Sequence, residues 1–133
     1  MITEDYVSFE TAKLLKEKGF DEITFTWYTG KGKLCFGKNN FDDYHMNHLS
    51  NMATAIDKNK CSAPTLQMAM KWLREDYNID VAIYPYGEYS CNNYQFDVYI
   101  DNNLVISKDD GYVSYEQACE TAIKYCLEKL IVQ

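Results

Sequence analysis

The chain predicts an α+β fold: one domain spanning residues 1–133, with an antiparallel sheet of four to five strands and about three helices packed on one face. Three observations carry this. From Ser114 to Leu130, apolar residues recur at Tyr115, Ala118, Cys119, Ala122, Ile123, Cys126, Leu127 and Leu130. That is a 3.6-residue stripe, with Glu116, Glu120, Lys124 and Glu128 on the other side. Second, segments at Ile23–Thr29, Ile79–Pro85 and Tyr94–Ile100 alternate with the period of two that a half-buried strand requires. Third, strands follow one another as turn-linked pairs and not as alternating βαβ units, which favours antiparallel pairing.

The elements follow in order. Ser8 opens the first helix, Glu10 suits its positive end, and Phe9, Ala12 and Leu15 form its apolar face. Gly19 ends it in the left-handed conformation, and Phe20 is placed to pack back on Leu15. In the next strand Ile23, Phe25 and Trp27 are expected to face the core, with Thr24, Thr26 and Tyr28 outward. Gly30-Lys31-Gly32 turns the chain into Lys33–Phe36, where Leu34 and Phe36 would share the face of Phe25 and Trp27. Between Lys38 and Cys61, Met46, Leu49, Ala53 and Ile56 are spaced like one helix face; the stretch reads equally as a short helix or a surface loop.

Ser62-Ala63-Pro64-Thr65 signals the start of a second helix, with Leu66, Ala69, Met70 and Leu73 on its stripe and Asn78 as its left-handed stop. Ile79, Val81 and Ile83 then face inward on a strand, as do Tyr94, Phe96, Val98 and Ile100 on the next. Asp101-Asn102-Asn103 turns into a short strand at Leu104–Ile106, and Asp109-Asp110-Gly111 is a further turn. Ser114 caps the last helix, with Gln117 completing a capping-box pattern.

Composition bounds function. A 47% hydrophobic fraction with 15% aromatics suits a folded core and not a disordered chain. The net charge is −7 and no Lys/Arg cluster exceeds two residues, so nucleic-acid binding is not expected. No apolar run reaches the length of a membrane span, and no secretory signal opens the chain; the expectation is a cytoplasmic protein that contacts no membrane. Five cysteines with no CxxC pattern suit reduced thiols and not a disulfide framework.

Candidate chemistry is sparse. His45 and His48 are spaced i, i+3, and Asp42, Asp43 or Cys61 could join them on a metal. Two histidines without a cysteine pair or an HExxH pattern are more simply polar residues on a solvated segment, and no metal or cofactor is expected. Cys61 precedes a helix, so a hydrolase with Cys61 as nucleophile and His45 or His48 as base can be written down, though no signature surrounds it. Gly30-Lys31-Gly32-Lys33 lacks the strand–loop–helix context of a phosphate loop.

The tyrosines are more informative. Alternation places Tyr28, Tyr84, Tyr86 and Tyr99 opposite the apolar face, where a helix-free sheet surface would present them to a protein partner or a second copy. A non-enzymatic interaction module is therefore the expectation. The alternatives are the Cys61 hydrolase and an acidic inhibitor that mimics nucleic-acid charge.

Three stretches carry a resemblance: Phe9-Glu10-Thr11-Ala12-Lys13-Leu14-Leu15-Lys16-Glu17-Lys18-Gly19-Phe20, then Ser62-Ala63-Pro64-Thr65-Leu66-Gln67 with Lys71-Trp72-Leu73-Arg74-Glu75 and Asn78-Ile79, then Tyr115-Glu116-Gln117-Ala118. Together they resemble small uncharacterised proteins encoded by gut bacteria of the Bacteroides type and by their phages or prophages. The resemblance implies a phage- or mobile-element-associated role and brings no catalytic residue with it.

Overall fold

Strand pairing in the computed structural model, which describes residues 1–37, 59–86 and 93–132, builds two antiparallel three-stranded sheets in an α+β fold. The expected single sheet of four to five strands is therefore corrected to two sheets. Three α-helices lie among the described residues. Contacts divide the chain into two compact units, Met1–Thr65 with Ile131–Gln133 and Leu66–Leu130.

In the first unit, helix α1 (Phe9–Glu17) starts where Ser8 Oγ accepts from the Thr11 N–H at 3.2 Å. It stops in a Schellman motif: Phe20 N–H donates to Leu15 O at 2.9 Å and Gly19 N–H to Lys16 O at 3.2 Å, with Gly19 at φ +97°. Leu15 and Phe20 are both buried.

Strand β1 (Thr26–Tyr28) lies between β2 (Leu34–Phe36) and β3 (Cys61–Ser62). It covers only part of the expected Ile23–Thr29 strand, and the inward and outward sides of it and of the residues just before it are the reverse of the expectation. Thr24, Thr26 and Tyr28 are buried, whereas Ile23 is 48% and Phe25 70% exposed. A shift of one residue exchanges the whole inward set for the outward one. Two threonines can occupy the inner face because their hydroxyls are satisfied there: Thr24 Oγ1 donates to Thr26 O at 2.7 Å, and Thr26 Oγ1 donates to Ala63 O. Leu34 pairs with Tyr28 and Phe36 with Thr26, so the two β2 residues share the face of Tyr28 and not of Trp27.

The second helix starts at Leu66, directly after the Ser62-Ala63-Pro64-Thr65 signal, with Thr65 and not Ser62 as the residue before its first turn. Ser62 pairs with Trp27 in β3, and Pro64 is buried ahead of the second helix. The helix expected as one option around Met46–Ile56, and His45 and His48 with it, lie outside the described residues.

The five-residue β1–β2 connection, residues 29–33, holds a three-residue turn at Gly30-Lys31-Gly32. Gly32 N–H donates to Thr29 O and Thr29 N–H to Lys33 O, both at 2.9 Å, and Gly32 takes φ +86°. A Cβ on Gly32 would sit 2.9 Å from Phe9 Cδ2, whereas one on Gly19 would meet nothing within 4 Å. Both glycines have positive φ, so their alanine variants share the backbone cost of about 1 kcal/mol. Gly32→Ala is expected to cost roughly 1 kcal/mol more, because Phe9 must shift. Urea unfolding of the two variants checks this; equal losses would mean the Phe9 contact is immaterial.

In the second unit, helix α2 (Leu66–Tyr77) ends at Asn78, which takes φ 55°. Strands β4 (Ile79–Tyr86), β5 (Asn93–Ile100) and β6 (Asn103–Tyr112) follow in sheet order. Asp101 and Asn102, at φ 51° and 69°, make a two-residue turn whose twist matches the flanking strands. β6 is longer than expected: Asp109-Asp110-Gly111 is no terminating turn but an irregular stretch of the strand, opposite Gln95.

Helix α3 (Tyr115–Tyr125) is capped by Ser114 Oγ, which accepts from Gln117 N–H at 3.0 Å. Gln117 Oε1 accepts from Val113 N–H at 2.8 Å, one residue before the usual capping-box partner. The helix gives way to a π-helical turn at Cys126–Leu130. α3 contacts all three strands of this sheet, and α2 packs on β4 and α3. Ile79, Phe96 and Val98 are buried on the helix side, with Ala118, Cys119, Ala122 and Ile123.

Candidate functional site

The reverse face of the second sheet is set by strand register. Ile79↔Ile100, Val81↔Val98 and Ile83↔Phe96 pair on the helix side. Asp80↔Tyr99, Ala82↔Asp97 and Tyr84↔Gln95 therefore pair on the other. Ser107 opposite Asp97, and Leu104 opposite Tyr99, extend that face onto β6.

A transverse row of hydrogen bonds crosses the three strands. Tyr84 Oη donates to Asp97 Oδ2 at 3.0 Å and accepts from Gln95 Nε2. Ser107 Oγ donates to Asp97 Oδ1. The central carboxylate thus holds one hydroxyl from each neighbouring strand, which fixes the Tyr84 ring and the carboxylate against the sheet. Tyr84 and Tyr99 are half-buried and Leu104 is 56% exposed. A β-bulge at Val105, 45% exposed, lies beside Leu104. No Lys or Arg occupies any of the face positions in β4, β5 or β6; Lys108 pairs with Phe96, on the helix side.

The expected tyrosine set divides. Tyr84 and Tyr99 lie on this face. Tyr86 ends β4 opposite Asn93, and its side chain lies outside the described residues. Tyr28 is corrected: it is only 9% exposed, its Oη donates to Val7 O at 2.6 Å, and its ring centroid is 5.4 Å from that of Phe9. It belongs to the core of the first unit because β1 turns its threonine–tyrosine side inward. Asp97, Ser107 and Gln95 were not singled out from the sequence. The polar alternation Gln95-Asp97-Tyr99 within β5 is the signal that marks Gln95 and Asp97; Ser107 is placed only by its pairing with Asp97.

The other candidates occupy ordinary structural places. Cys61 lies in β3 at 1% exposure, and burial pushes its thiol up to about 11 despite the nearby Lys16 and Lys13 ammonium groups. A nucleophilic cysteine needs the opposite environment. Gly30-Lys31-Gly32 forms the hairpin loop. Among the described residues no group of three or more His, Cys, Asp or Glu side chains could hold a metal, and no helix is long and apolar enough to cross a membrane.

The chain matches no family model, no curated protein and no solved structure. What the face can do therefore rests on its own chemistry.

Proposed function

We propose that the chain is a non-enzymatic protein-interaction module whose contact surface is the β4–β5–β6 face bearing Tyr84, Tyr99 and Leu104. The observation that supports this most is the row Gln95–Tyr84–Asp97–Ser107. An aromatic side chain held in one orientation offers contact area with little rotamer entropy left to lose on binding. The exposed Leu104, opposite Tyr99 on the same face, supplies apolar area that a partner would cover. The resemblance of three stretches to proteins of Bacteroides-type bacteria and their phages supports a phage- or mobile-element setting, with the protein acting in the cytoplasm.

The test is a pair of variants, Tyr84→Ser and Tyr99→Ser, singly and together. Both rings are half-buried on a sheet surface, so each should cost only about 0.5–1 kcal/mol of stability. Capture of the native partner, and any self-association seen by mass in solution, should be lost in the double variant. A folded double variant with unchanged capture and mass would remove the proposal.

A further inference from the structure

The −7 charge of the chain is unevenly distributed. Leu66–Leu130 holds eleven acidic and five basic residues, a net of −6, which leaves −1 for the remainder. Within that acidic unit, Asp80 and Asp97 stand on the tyrosine-bearing sheet face, where no position carries a cation. We infer that this face receives a cationic segment of a protein partner, rich in Arg or Lys and laid across Asp80, Tyr84, Asp97 and Tyr99. The inference rests on the interaction-face proposal and names the chemistry of its partner.

Two physical arguments select this occupant over a second copy of the chain. First, stacking two copies face to face would oppose the aspartates of one to those of the other, inside units that each carry −6. Second, three strands of about eight residues span about 26 Å by about 14 Å, a planar footprint of roughly 400 Å². A stable interface takes about 800 Å² from each partner. The face fits one extended strand or one helix of a partner. The face also has the recognition chemistry for a guanidinium: a carboxylate already oriented by the Tyr84 and Ser107 hydroxyls, flanked by aromatic rings that attract cations.

The experiment titrates the full chain with octa-arginine and with octa-glutamate peptides, following backbone amide shifts by NMR at low and at moderate salt. The expected result is perturbation confined to β4, β5 and β6 with octa-arginine and none with octa-glutamate. Binding should weaken about tenfold as salt rises from ~20 to ~200 mM. Asp80→Asn with Asp97→Asn should weaken it about tenfold or more. Glu116→Gln with Glu128→Gln removes the same charge from exposed positions on the helical segments of the same unit and should change it less than about twofold. Because Asp97 accepts two hydroxyls, Asp80→Asn alone serves as the variant that leaves the hydrogen-bonded row intact.

No binding, shifts centred elsewhere, or equal losses in both charge variants would overturn the inference. Replacing Tyr99 with p-benzoylphenylalanine and sequencing the partner segment it cross-links separates the two levels. A neutral or acidic segment overturns the cationic assignment and leaves the interaction face standing. Unchanged partner capture by the Tyr84→Ser/Tyr99→Ser variant removes both.

Discussion

Tyr28→Ser is expected to destabilise the first unit by about 3–5 kcal/mol, the range for emptying a large aromatic from a core. The ring is buried against Phe9, and Tyr28 Oη is the donor to Val7 O, so truncation opens a cavity and takes that donor from the carbonyl. Val7 ties the segment before α1 to the chain after β3, since its N–H donates to Pro64 O at 3.0 Å. Tyr28→Phe separates the two contributions: it keeps the ring, loses the hydrogen bond, and should cost about 1–2 kcal/mol. Urea unfolding measures both. A Tyr28→Ser loss near that of Tyr84→Ser would place Tyr28 back on an open sheet face and would contradict the inverted β1.

Stability should also fall steeply on the alkaline side. Burial raises the thiols of Cys61 and Cys119 from 9.0 to about 11 and that of Cys126 to about 12. The protonated thiol is the form the folded chain favours. Below pH 9 folded and unfolded chains both hold these protons, and stability is full. As pH rises from 9 toward 11–12 the unfolded chain releases protons that the folded chain keeps, and stability is lost. Each thiol contributes a slope of up to about 1.4 kcal/mol per pH unit in that window. At pH 10 the three together should remove roughly 3–4 kcal/mol relative to pH 8. Tyr112 and Tyr115, also raised chiefly by burial, act in the same direction above pH 10. Urea midpoints at pH 8 and pH 10 check this, with Cys119→Ala/Cys126→Ala as the comparison. The double variant should flatten the alkaline loss in the second unit. An unflattened slope would mean that the two thiols are not its source.

The second unit was the more legible. In β4 and β5 the alternation of Ile79-Val81-Ile83 and Phe96-Val98-Ile100 agrees with the pairing and with the face the helices cover. The candidate site was half visible for the same reason. Alternation put Tyr84 and Tyr99 on the outer face, but the ties of Tyr84 and of Ser107 to Asp97 depend on cross-strand register and span 13 and 10 residues of sequence. In the first unit alternation misled. A run of Ile23-Phe25-Trp27 against Thr24-Thr26-Tyr28 defines two faces, and hydrophobicity favours burying the first. The second is buried because its polar atoms find distant partners: Ala63 O is 37 residues from Thr26, and Val7 O is 21 residues from Tyr28.

Features that depend on neighbours within a few residues could be read from the residues alone. The Ser8 and Ser114 caps, the Gly19–Phe20 stop, the Asn78 terminator and the Asp101-Asn102 turn all satisfy backbone groups or φ angles locally. Long-range pairing set the rest: two sheets instead of one, a short strand at Cys61–Ser62 ahead of the second helix, β6 running on through Gly111, and the inward side of β1. A short strand carries the same dihedral preferences whichever side it buries. Only the partner that meets its hydroxyls, its edges and its rings breaks that symmetry.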